Sequence, residues 1–409
     1  RYGRTPVKFE GALYLFARVL DQFNCGATFP LTAVVLERNG NLLSQFRERP
    51  IEFSVHGYTH VDYAQLTPDD LMSHLQGACE VFVRAGIQAQ GFRSPYLSRN
   101  PYLQAALEAT GFSYVSNQPF LWDVVDSGEL KPSFSANLER ALNLYDPWDA
   151  RQYPSLPRLQ GKIVEIPVSL PDDEILLDRL GGEPVGLVES AWLRILSKAY
   201  DRGELFTMML HPERVAGCVE GLSAVLARAR GLSPQVWIAR LDEIAAWWQA
   251  RARVEVQILD LDDGAFRVEI EGPTGTTALV RGVAVNQPAL TWAKGYRQVM
   301  ATSFLVQSPS LLRPFIGVST RTSSGLSEFL RQQGYIIEIS DESERYAQYF
   351  DQAEFSDEHE LPLLVEIEGS DHPLVRLGRW PDGARSALAI TGDIDALTWW
   401  DYALRLLGR

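Results

Sequence analysis

The first 250 residues alternate between helical and strand patterns, and this alternation restricts the possible folds more than any other feature. Apolar residues recur every three to four positions from Leu13 to Phe23, as on one face of a helix, and the segment "GATFPLTAVV" then has the composition of a strand. The alternation returns in residues 66–96, 187–211 and 234–252. It predicts an α/β domain built on a largely parallel sheet or barrel.

The pattern changes after residue 253. In "VEVQILDLDDGAFRVEI", apolar residues occupy every second position on both sides of a "DDG" break, which is typical of a β-hairpin with a turn that tolerates positive φ angles. The segment "TTALVRGVAV" adds a further strand. We therefore predict a small antiparallel β unit at residues 254–287.

Residues 288–383 form a third section with an α/β pattern of its own. The segment "FIGVSTRTSSGLSEFLRQQGYIIEIS" predicts strand, helix and strand, with Gly334 directly after the helix, where a left-handed cap is expected. Two histidines, His359 and His372, lie in acidic surroundings that are typical of a solvated surface. The alternative, that this section covers the mouth of the barrel, stays open.

Charge and composition exclude several classes of partner. The formal net charge of −14 disfavours nucleic acids and anionic membranes, because their binding depends on neutralising phosphate with lysine and arginine. The sequence contains no apolar run long enough to cross a bilayer. The opening residues "RYGRTPVKFEG" contain no apolar signal-peptide core, so a cytoplasmic location is the default expectation. The three cysteines have no metal-site or disulfide spacing.

Two histidines follow the strand pattern in "EFSVHGYTH". His56 and His60 are four residues apart, and a turn after the strand would direct both imidazoles at one ion. Neutral imidazole is the commonest protein ligand for zinc, but two histidines leave a tetrahedral site short of a third protein ligand. A metalloprotease motif is disfavoured because Gly57 stands where that motif has glutamate. A purely structural or surface pair is the alternative.

Three other segments place reactive side chains at predicted strand ends. "GFRSPY" carries Arg93, "FTMMLHP" carries His211, and "LAITGDIDALTWW" carries Asp393 and Asp395. An arginine can orient a carboxylate, and a histidine at a sheet or barrel mouth is suited to general acid catalysis. Taken singly, each has a simpler interpretation as a surface ion pair, a loop histidine or helix-capping aspartates. Their joint occurrence favours a site.

The segments "VHGYTH", "FRSPY", "MMLHP" and "ITGDIDA" together resemble the motifs of the polysaccharide deacetylase family, the NodB-homology carbohydrate esterases. The resemblance implies a deformed (β/α) barrel and a divalent metal, zinc being the expected ion, held by one aspartate and two histidines. By position it assigns Asp395, His56 and His60 as metal ligands. It likewise implies Asp393 as the catalytic base, Arg93 as the residue that orients this base, and His211 as the catalytic acid.

Two features depart from the family pattern. The aspartates of "GDIDA" are separated by Ile394, so the roles of base and metal ligand could be exchanged between them. The fourth motif is not distinct. Trp122 and Asp123 in "PFLWDVV" are candidates for a wall of the substrate cleft and for a carboxylate that orients a histidine, and a core tryptophan is the alternative. Tyr96 is a further candidate for substrate binding.

The order of the motifs also differs, because the aspartate motif comes last in this chain. A circular permutation explains this order: residues 1–253 would form the main part of the barrel, and residues 384–409 would supply a final strand and helix that complete it. The β unit and the section at 288–383 are then an insertion. In the alternative, a homo-oligomer, this strand completes the barrel of a neighbouring subunit.

The resemblance implies a hydrolase that removes acetyl groups from N-acetylated sugars. Two other functions stay open from the sequence. One is an amidohydrolase of the same fold that acts on a small non-sugar amide. The other is a catalytically silent barrel that binds carbohydrate or a partner protein, although such a protein would not need a catalytic acid at His211.

Overall fold

Residues 6–125, 132–182 and 186–395 are described by the structure, a computed structural model. The α-helices of these residues are α1 (Pro6–Gln22), α2 (Ala33–Ser44), α3 (Pro68–Arg84), α4 (Leu103–Thr110), α5 (Pro132–Tyr145), α6 (Leu187–Arg202), α7 (Val219–Arg230), α8 (Leu241–Arg251), α9 (Ser324–Gln332) and α10 (Asp357–Gly369). Within the described ranges, none of these helices has both the length and the apolar composition that a bilayer span requires.

The strands fall into two groups along the chain. The first group is β1 (Ala27–Leu31), β2 (Ile51–Val55), β3 (Gly91–Phe92), β4 (Tyr114–Val115), β5 (Pro119–Leu121), β6 (Trp148–Asp149), β7 (Arg158–Gln160), β8 (Ile163–Glu165), β9 (Val168–Leu170), β10 (Leu205–Leu210) and β11 (Val236–Ile238). The second group is β12 (Glu255–Asp260), β13 (Ala265–Glu271), β14 (Ala278–Arg281), β15 (Ala284–Val285), β16 (Ala289–Thr291), β17 (Arg297–Val299), β18 (Ser303–Gln307), β19 (Arg313–Val318), β20 (Ile337–Ile339), β21 (Tyr346–Phe350), β22 (Leu374–Leu377) and β23 (Ser386–Gly392).

A curled sheet of twelve strands forms the main part of the protein. Its order is β6-β5-β9-β10-β23-β1-β2-β3-β4-β8-β7, and β11 pairs in addition with β23. Apart from the antiparallel pair β7 and β8, the pairings are parallel. Parallel strands need crossover connections, and helices α2, α3, α4 and α6 supply them. The predicted deformed (β/α) barrel of NodB type is confirmed.

Strand β23 comes from the far end of the sequence but lies in the centre of this sheet. It pairs with β10 from Leu205↔Ala387 to Leu210↔Gly392, and with β1 at Thr28↔Thr391. All seven residues of β23 are buried. The strand therefore lies inside the sheet of its own chain. The circular permutation stays a prediction, and the predicted helix after residue 395 lies outside the described residues.

The strand predicted in "GATFPLTAVV" is shorter than its composition indicates. It ends at Leu31, and helix α2 begins at Ala33. The reason is a change of hydrogen-bond partner, because the Ala33 and Val34 amides donate to the carbonyls of Gly57 and Tyr58 in the loop after β2. The β-branched Val34 and Val35 are consequently helical, since tertiary contacts override their strand propensity.

Residues 254–383 fold into three smaller sheets with the orders β12-β13-β18-β15, β16-β17-β14-β22 and β20-β19-β21. The predicted hairpin is confirmed, with Val256 opposite Ile270. The predicted strand, helix and strand are β19, α9 and β20, and Gly334 has the expected positive φ of 89°. Strand pairing crosses residue 287, because β13 pairs with β18 and β14 pairs with both β17 and β22. The domain boundaries stay a prediction.

The section at 254–383 packs against the amino-terminal ends of the barrel strands. Leu205 and Ala387, near the starts of β10 and β23, share a buried apolar cluster with Leu330 of α9. The rings of Trp248 and Trp380 lie 5.4 Å apart in the same cluster. The opposite, carboxyl ends of β10 and β23 carry His211 and Asp393. This packing therefore lies at the other end of the strands from the predicted site.

Candidate metal and catalytic site

The predicted site residues converge at the carboxyl ends of neighbouring strands. His56 follows β2, Arg93 follows β3, His211 follows β10, and Asp393 follows β23. Because these parallel strands are neighbours in the sheet or separated only by β1, their ends open onto one surface. A cavity of about 50 Å³ lies there, lined by His56, His60, Ser94, Tyr96, Leu97, Tyr145, Glu174, Met209, His211, Asp393 and Asp395.

His56, His60 and Asp395 form the most compact group in this cavity. The Nε2 atom of His56 lies 3.2 Å from one carboxylate oxygen of Asp395, and the Nε2 atom of His60 lies 3.2 Å from the other. One possible ligand atom from each of the three residues lies within 4.8 Å of the other two. These are the three residues that the resemblance implied as metal ligands.

The tautomer of His56 follows from its hydrogen bonding. Its Nδ1 lies 2.8 Å from the carbonyl oxygen of Arg93, and a carbonyl only accepts, so Nδ1 carries a proton. Nε2 then points at Asp395. Burial alone would raise the pKa of Asp395, but the imidazoles of His60 and His56 hold this pKa well below its ordinary value. Asp395 is therefore a carboxylate at neutral pH.

The turn between the two histidines requires glycine. Gly57 has a φ of +86°, and a Cβ at this position would lie 2.7 Å from the hydroxyl of Tyr63. The same hydroxyl accepts a hydrogen bond from the Tyr58 amide at 3.2 Å. Tyr63 is fully buried and thus fixes the turn. The glycine that disfavoured a metalloprotease motif therefore allows the chain to bring both imidazoles to one place.

Arg93 is buried and all of its guanidinium nitrogens are hydrogen-bonded. It donates to Asp393 Oδ1 at 2.7 Å and to the Thr391 hydroxyl at 2.8 Å. It also donates to the carbonyl oxygen and the hydroxyl of Ser116, at 3.1 and 2.9 Å. Asp393 is itself buried, so this charge-assisted bond fixes one carboxylate oxygen in the cavity wall. The structure places Asp393 against Arg93 and Asp395 against the histidines.

His211 is held by a carboxylate that the sequence interpretation missed. Asp173 contacts the ring Nδ1 of His211 at 2.7 Å through one oxygen and accepts from the His211 amide at 2.6 Å through the other. Burial lowers the pKa of His211, but the charge and hydrogen bond of Asp173 outweigh this and raise the pKa well above its ordinary value. His211 is therefore an imidazolium at neutral pH, with Nε2 as its remaining donor.

The interpretation of the "PFLWDVV" segment was wrong in both of its candidate roles. Trp122 is only 2% exposed and donates from its indole nitrogen to the Ser169 hydroxyl at 3.2 Å, so it belongs to the core and does not line the cavity. Asp123 is largely exposed and pairs weakly with Arg151 at 3.8 Å. The carboxylate that contacts His211 is Asp173 instead.

Tyr96 lies at the cavity in an unusual backbone conformation. Its φ is +61°, its side chain is 40% exposed, and its ring centroid lies 4.7 Å from that of His60. The loop that contains Tyr96 is stabilised by a hydrogen bond from the Ser94 amide to the side-chain oxygen of Asn117 at 2.8 Å. Strained, well-supported residues of this kind are common in ligand-binding loops. The structure thus brings the predicted substrate residue Tyr96, but not Trp122, to the site.

Part of the chain is similar to known proteins. Residues 14–115 match the sequence model of the polysaccharide deacetylase family. No curated protein matches the chain. Among solved structures, a protein from Mycobacterium smegmatis assigned as a polysaccharide deacetylase has 22% identity and a TM-score of 0.43 over 57% of this chain and 76% of its own.

Two further solved structures are similar over a comparable share of the chain. PuuE allantoinase has 17% identity and a TM-score of 0.45 over 58% of this chain and 72% of its own. A probable polysaccharide deacetylase from Pseudomonas aeruginosa PAO1 has 16% identity and a TM-score of 0.43, again over 58% and 72%. The matched sequence segment contains His56, His60 and Arg93. Over residues 14–115, the chain is similar to the polysaccharide deacetylase family.

Proposed function

We propose that the chain is a metal-dependent hydrolase that removes acetyl groups from N-acetylated sugars. The observation that carries this proposal is the joint arrangement of three parts in one cavity. These are a group of two imidazoles and a carboxylate, a second carboxylate fixed by Arg93, and a histidine whose protonated form is stabilised by Asp173. A binding protein would need neither the fixed carboxylate nor the protonated histidine.

The donor set fits a divalent cation. Nδ1 of His56 is bonded to the Arg93 carbonyl, so Nε2, which lies 3.2 Å from an oxygen of Asp395, is the ring atom available to a cation. Nε2 of His60 lies 3.2 Å from the other oxygen of the same carboxylate. Two imidazole nitrogens and one carboxylate oxygen form a common catalytic zinc site that keeps a position open for water. A divalent ion bound there would lower the pKa of water and polarise a carbonyl oxygen.

The side chains of the chain supply the two proton transfers. Asp393 has one oxygen held by Arg93, and the other would accept the proton of the attacking water. His211 would give its Nε2 proton to the departing amine, while Asp173 retains the ring orientation through Nδ1. A backbone amide near Tyr96 would donate to the developing oxyanion. The products are acetate and a free amine.

The size of the cavity indicates how a substrate would enter. A volume of about 50 Å³ accommodates an acetamide group but not a sugar ring. The ring would then lie outside the cavity against Tyr96, whose exposed aromatic face can stack on carbohydrate. The same small volume is also suited to a compact amide without a sugar, so a small-amide hydrolase is the second candidate function.

Acetate release and metal content test the proposed function together. We expect purified protein to contain about one zinc ion per chain and to release acetate from a chitooligosaccharide. Removal of the metal with a chelator should abolish the reaction, and added zinc should restore it. Hydrolysis of small amides without any acetate release from the sugar would favour the second candidate. Protein that neither binds zinc nor hydrolyses either substrate would be a silent barrel.

Replacement of Asp173 with asparagine should narrow the pH range of activity on the alkaline side. The pKa of His211 is raised by Asp173, so a neutral partner lets this pKa fall, and the acid loses its proton at a lower pH. The alkaline limb of the profile of kcat against pH should therefore move to lower pH. Asp123→Asn is the matched control, because this carboxylate is exposed and does not contact His211. Equal profiles for the two variants would contradict the role of Asp173.

A further inference from the structure

A second and larger cavity lies between the barrel and the section at 254–383. Its volume is about 300 Å³, which is within the size range of small-ligand sites. Its walls include Gly203 and Glu204 directly before β10, Ala384 and Arg385 directly before β23, and residues of α10. The cavity is thus at the amino-terminal ends of two strands whose carboxyl ends carry His211 and Asp393. It is separate from the metal and catalytic site.

The charges around this cavity do not balance. Five basic and three acidic side chains line it. Arg202 pairs with Glu204 at 2.7 Å, and Arg376 pairs with Glu368. The third acidic residue, Asp201, lies 4.0 Å from Arg385 and is largely exposed.

Two cations remain, Arg379 and Lys294. Within the described part of the chain, neither has a carboxylate at ion-pair distance. The cavity therefore has an excess of positive charge, in a chain whose net charge is −14.

Two guanidinium nitrogens of Arg379 have no hydrogen-bond partner among the described residues. The residue is only 7% exposed, and its Nη1 donates to the Gly203 carbonyl at 2.8 Å. Its Nε is buried without a hydrogen-bond partner, and its Nη2 has none among the described residues either. Because Nε is enclosed, Nη2 is the nitrogen of Arg379 that is left to donate to a carboxylate or phosphate. Burial, and to a lesser extent the nearby charge of Arg376, lower the pKa of Arg379 to about 10.

Lys294 and several apolar side chains line the rest of this cavity. Lys294 is exposed and lines the cavity, so its ammonium group is available where the cavity opens to solvent. Leu279, Trp292 and Leu364 form apolar walls, and the Trp292 ring is fixed by a bond from its indole nitrogen to the Gly383 carbonyl at 2.7 Å. A ligand that fits must combine one strongly anionic group with a compact apolar body.

We propose that this cavity binds a small organic anion. Its carboxylate or phosphate group contacts Arg379 and Lys294, and its apolar body packs against Leu279 and Trp292. A buried guanidinium without a counter-charge destabilises a fold, and a bound anion removes this deficit. Both chemical groups can accept hydrogen bonds from the Lys294 ammonium and from Nη2 of Arg379.

Isothermal titration calorimetry with phenyl phosphate and with benzoate tests the proposal on the full chain. We expect saturable binding of one molecule of at least one of these anions per chain, and no binding of neutral benzyl alcohol. The preferred anion shows whether the site is built for phosphate or for carboxylate. Lys294→Met should weaken binding roughly tenfold, the loss expected for one hydrogen bond to a charged group. Lys162→Met, at an exposed position away from the cavity, should bind like the wild type.

Asp395→Asn separates this cavity from the metal and catalytic site, because a bound metal could also attract the probes. The variant should retain full binding of the anion. Failure of both anions to bind at millimolar concentration would overturn the proposal. Binding that survives Lys294→Met unchanged, or that is lost in Asp395→Asn, would overturn it equally. Since Lys294 is exposed, its replacement tests the site without relying on the buried Arg379.

Discussion

Asp395→Asn is expected to remove the bound metal and to lower kcat/KM by about a thousandfold or more, because an amide side chain cannot supply the ligand charge on which the hydrolysis depends. Asp393→Asn should instead leave the metal in place and lower kcat by about 10²–10⁴-fold, the contribution typical of a general base. The geometry makes this distinction, since Asp395 faces both histidines and Asp393 faces Arg93.

This prediction is tested by measuring the zinc content per chain and the steady-state kinetics of both variants. The exposed control Asp371→Asn is measured in the same way. The control should match the wild type in metal content and rate. If Asp393→Asn loses the metal while Asp395→Asn retains it, the two aspartates have exchanged roles, the alternative that the intervening Ile394 left open. Full activity in either variant would be incompatible with the proposed site.

Arg93→Met is expected to destabilise the fold by about 3–5 kcal/mol, the range observed when one partner of a buried ion pair is removed. The substitution leaves Asp393 as a buried carboxylate without its cation, and it also removes the donors to Thr391 and Ser116. Because Thr391 is in β23 and Ser116 follows β4, the loss affects distant parts of the sheet at once. Urea denaturation gives the free energy of unfolding directly.

Two comparison variants sharpen this measurement. Arg84→Met breaks an ion pair with Glu37 at 3.3 Å in which both side chains are more than half exposed, so the change should be at most about 1 kcal/mol. Arg93→Lys keeps the charge but loses the planar fork, and its stability should lie between those of the wild type and Arg93→Met. If Arg93→Met lowers the free energy of unfolding no more than Arg84→Met does, the hydrogen bonds and ion pair of Arg93 contribute little to stability.

Much of the site could be predicted from the sequence because its residues follow recognisable strands. His56, Arg93, His211 and Asp393 each come directly after a strand, and parallel strands direct such residues to one edge of the sheet. The hairpin of β12 and β13 could be predicted equally well from the sequence, since its apolar alternation fixes which residues face each other.

The remaining features depend on contacts that leave no local pattern. Asp173 contacts His211 across 38 positions of sequence, and nothing in the segment "PDDEI" shows which of its carboxylates makes this contact. An aromatic residue such as Trp122 is typical of the wall of a substrate cleft. Its indole nitrogen nevertheless donates to a buried hydroxyl, and its ring packs in the core. The early end of β1 has the same origin, because the amides that begin α2 bond to a loop more than twenty residues away.

The central position of β23 has a consequence for biosynthesis. Until residues 386–392 have left the ribosome, β10 and β1 lack the strand that lies between them, and both expose open edges in the middle of the nascent sheet. A chain that stops before this strand also lacks both aspartates of the cavity. The cavity that contains both aspartates therefore forms only after the whole intervening section at 254–383 has been translated.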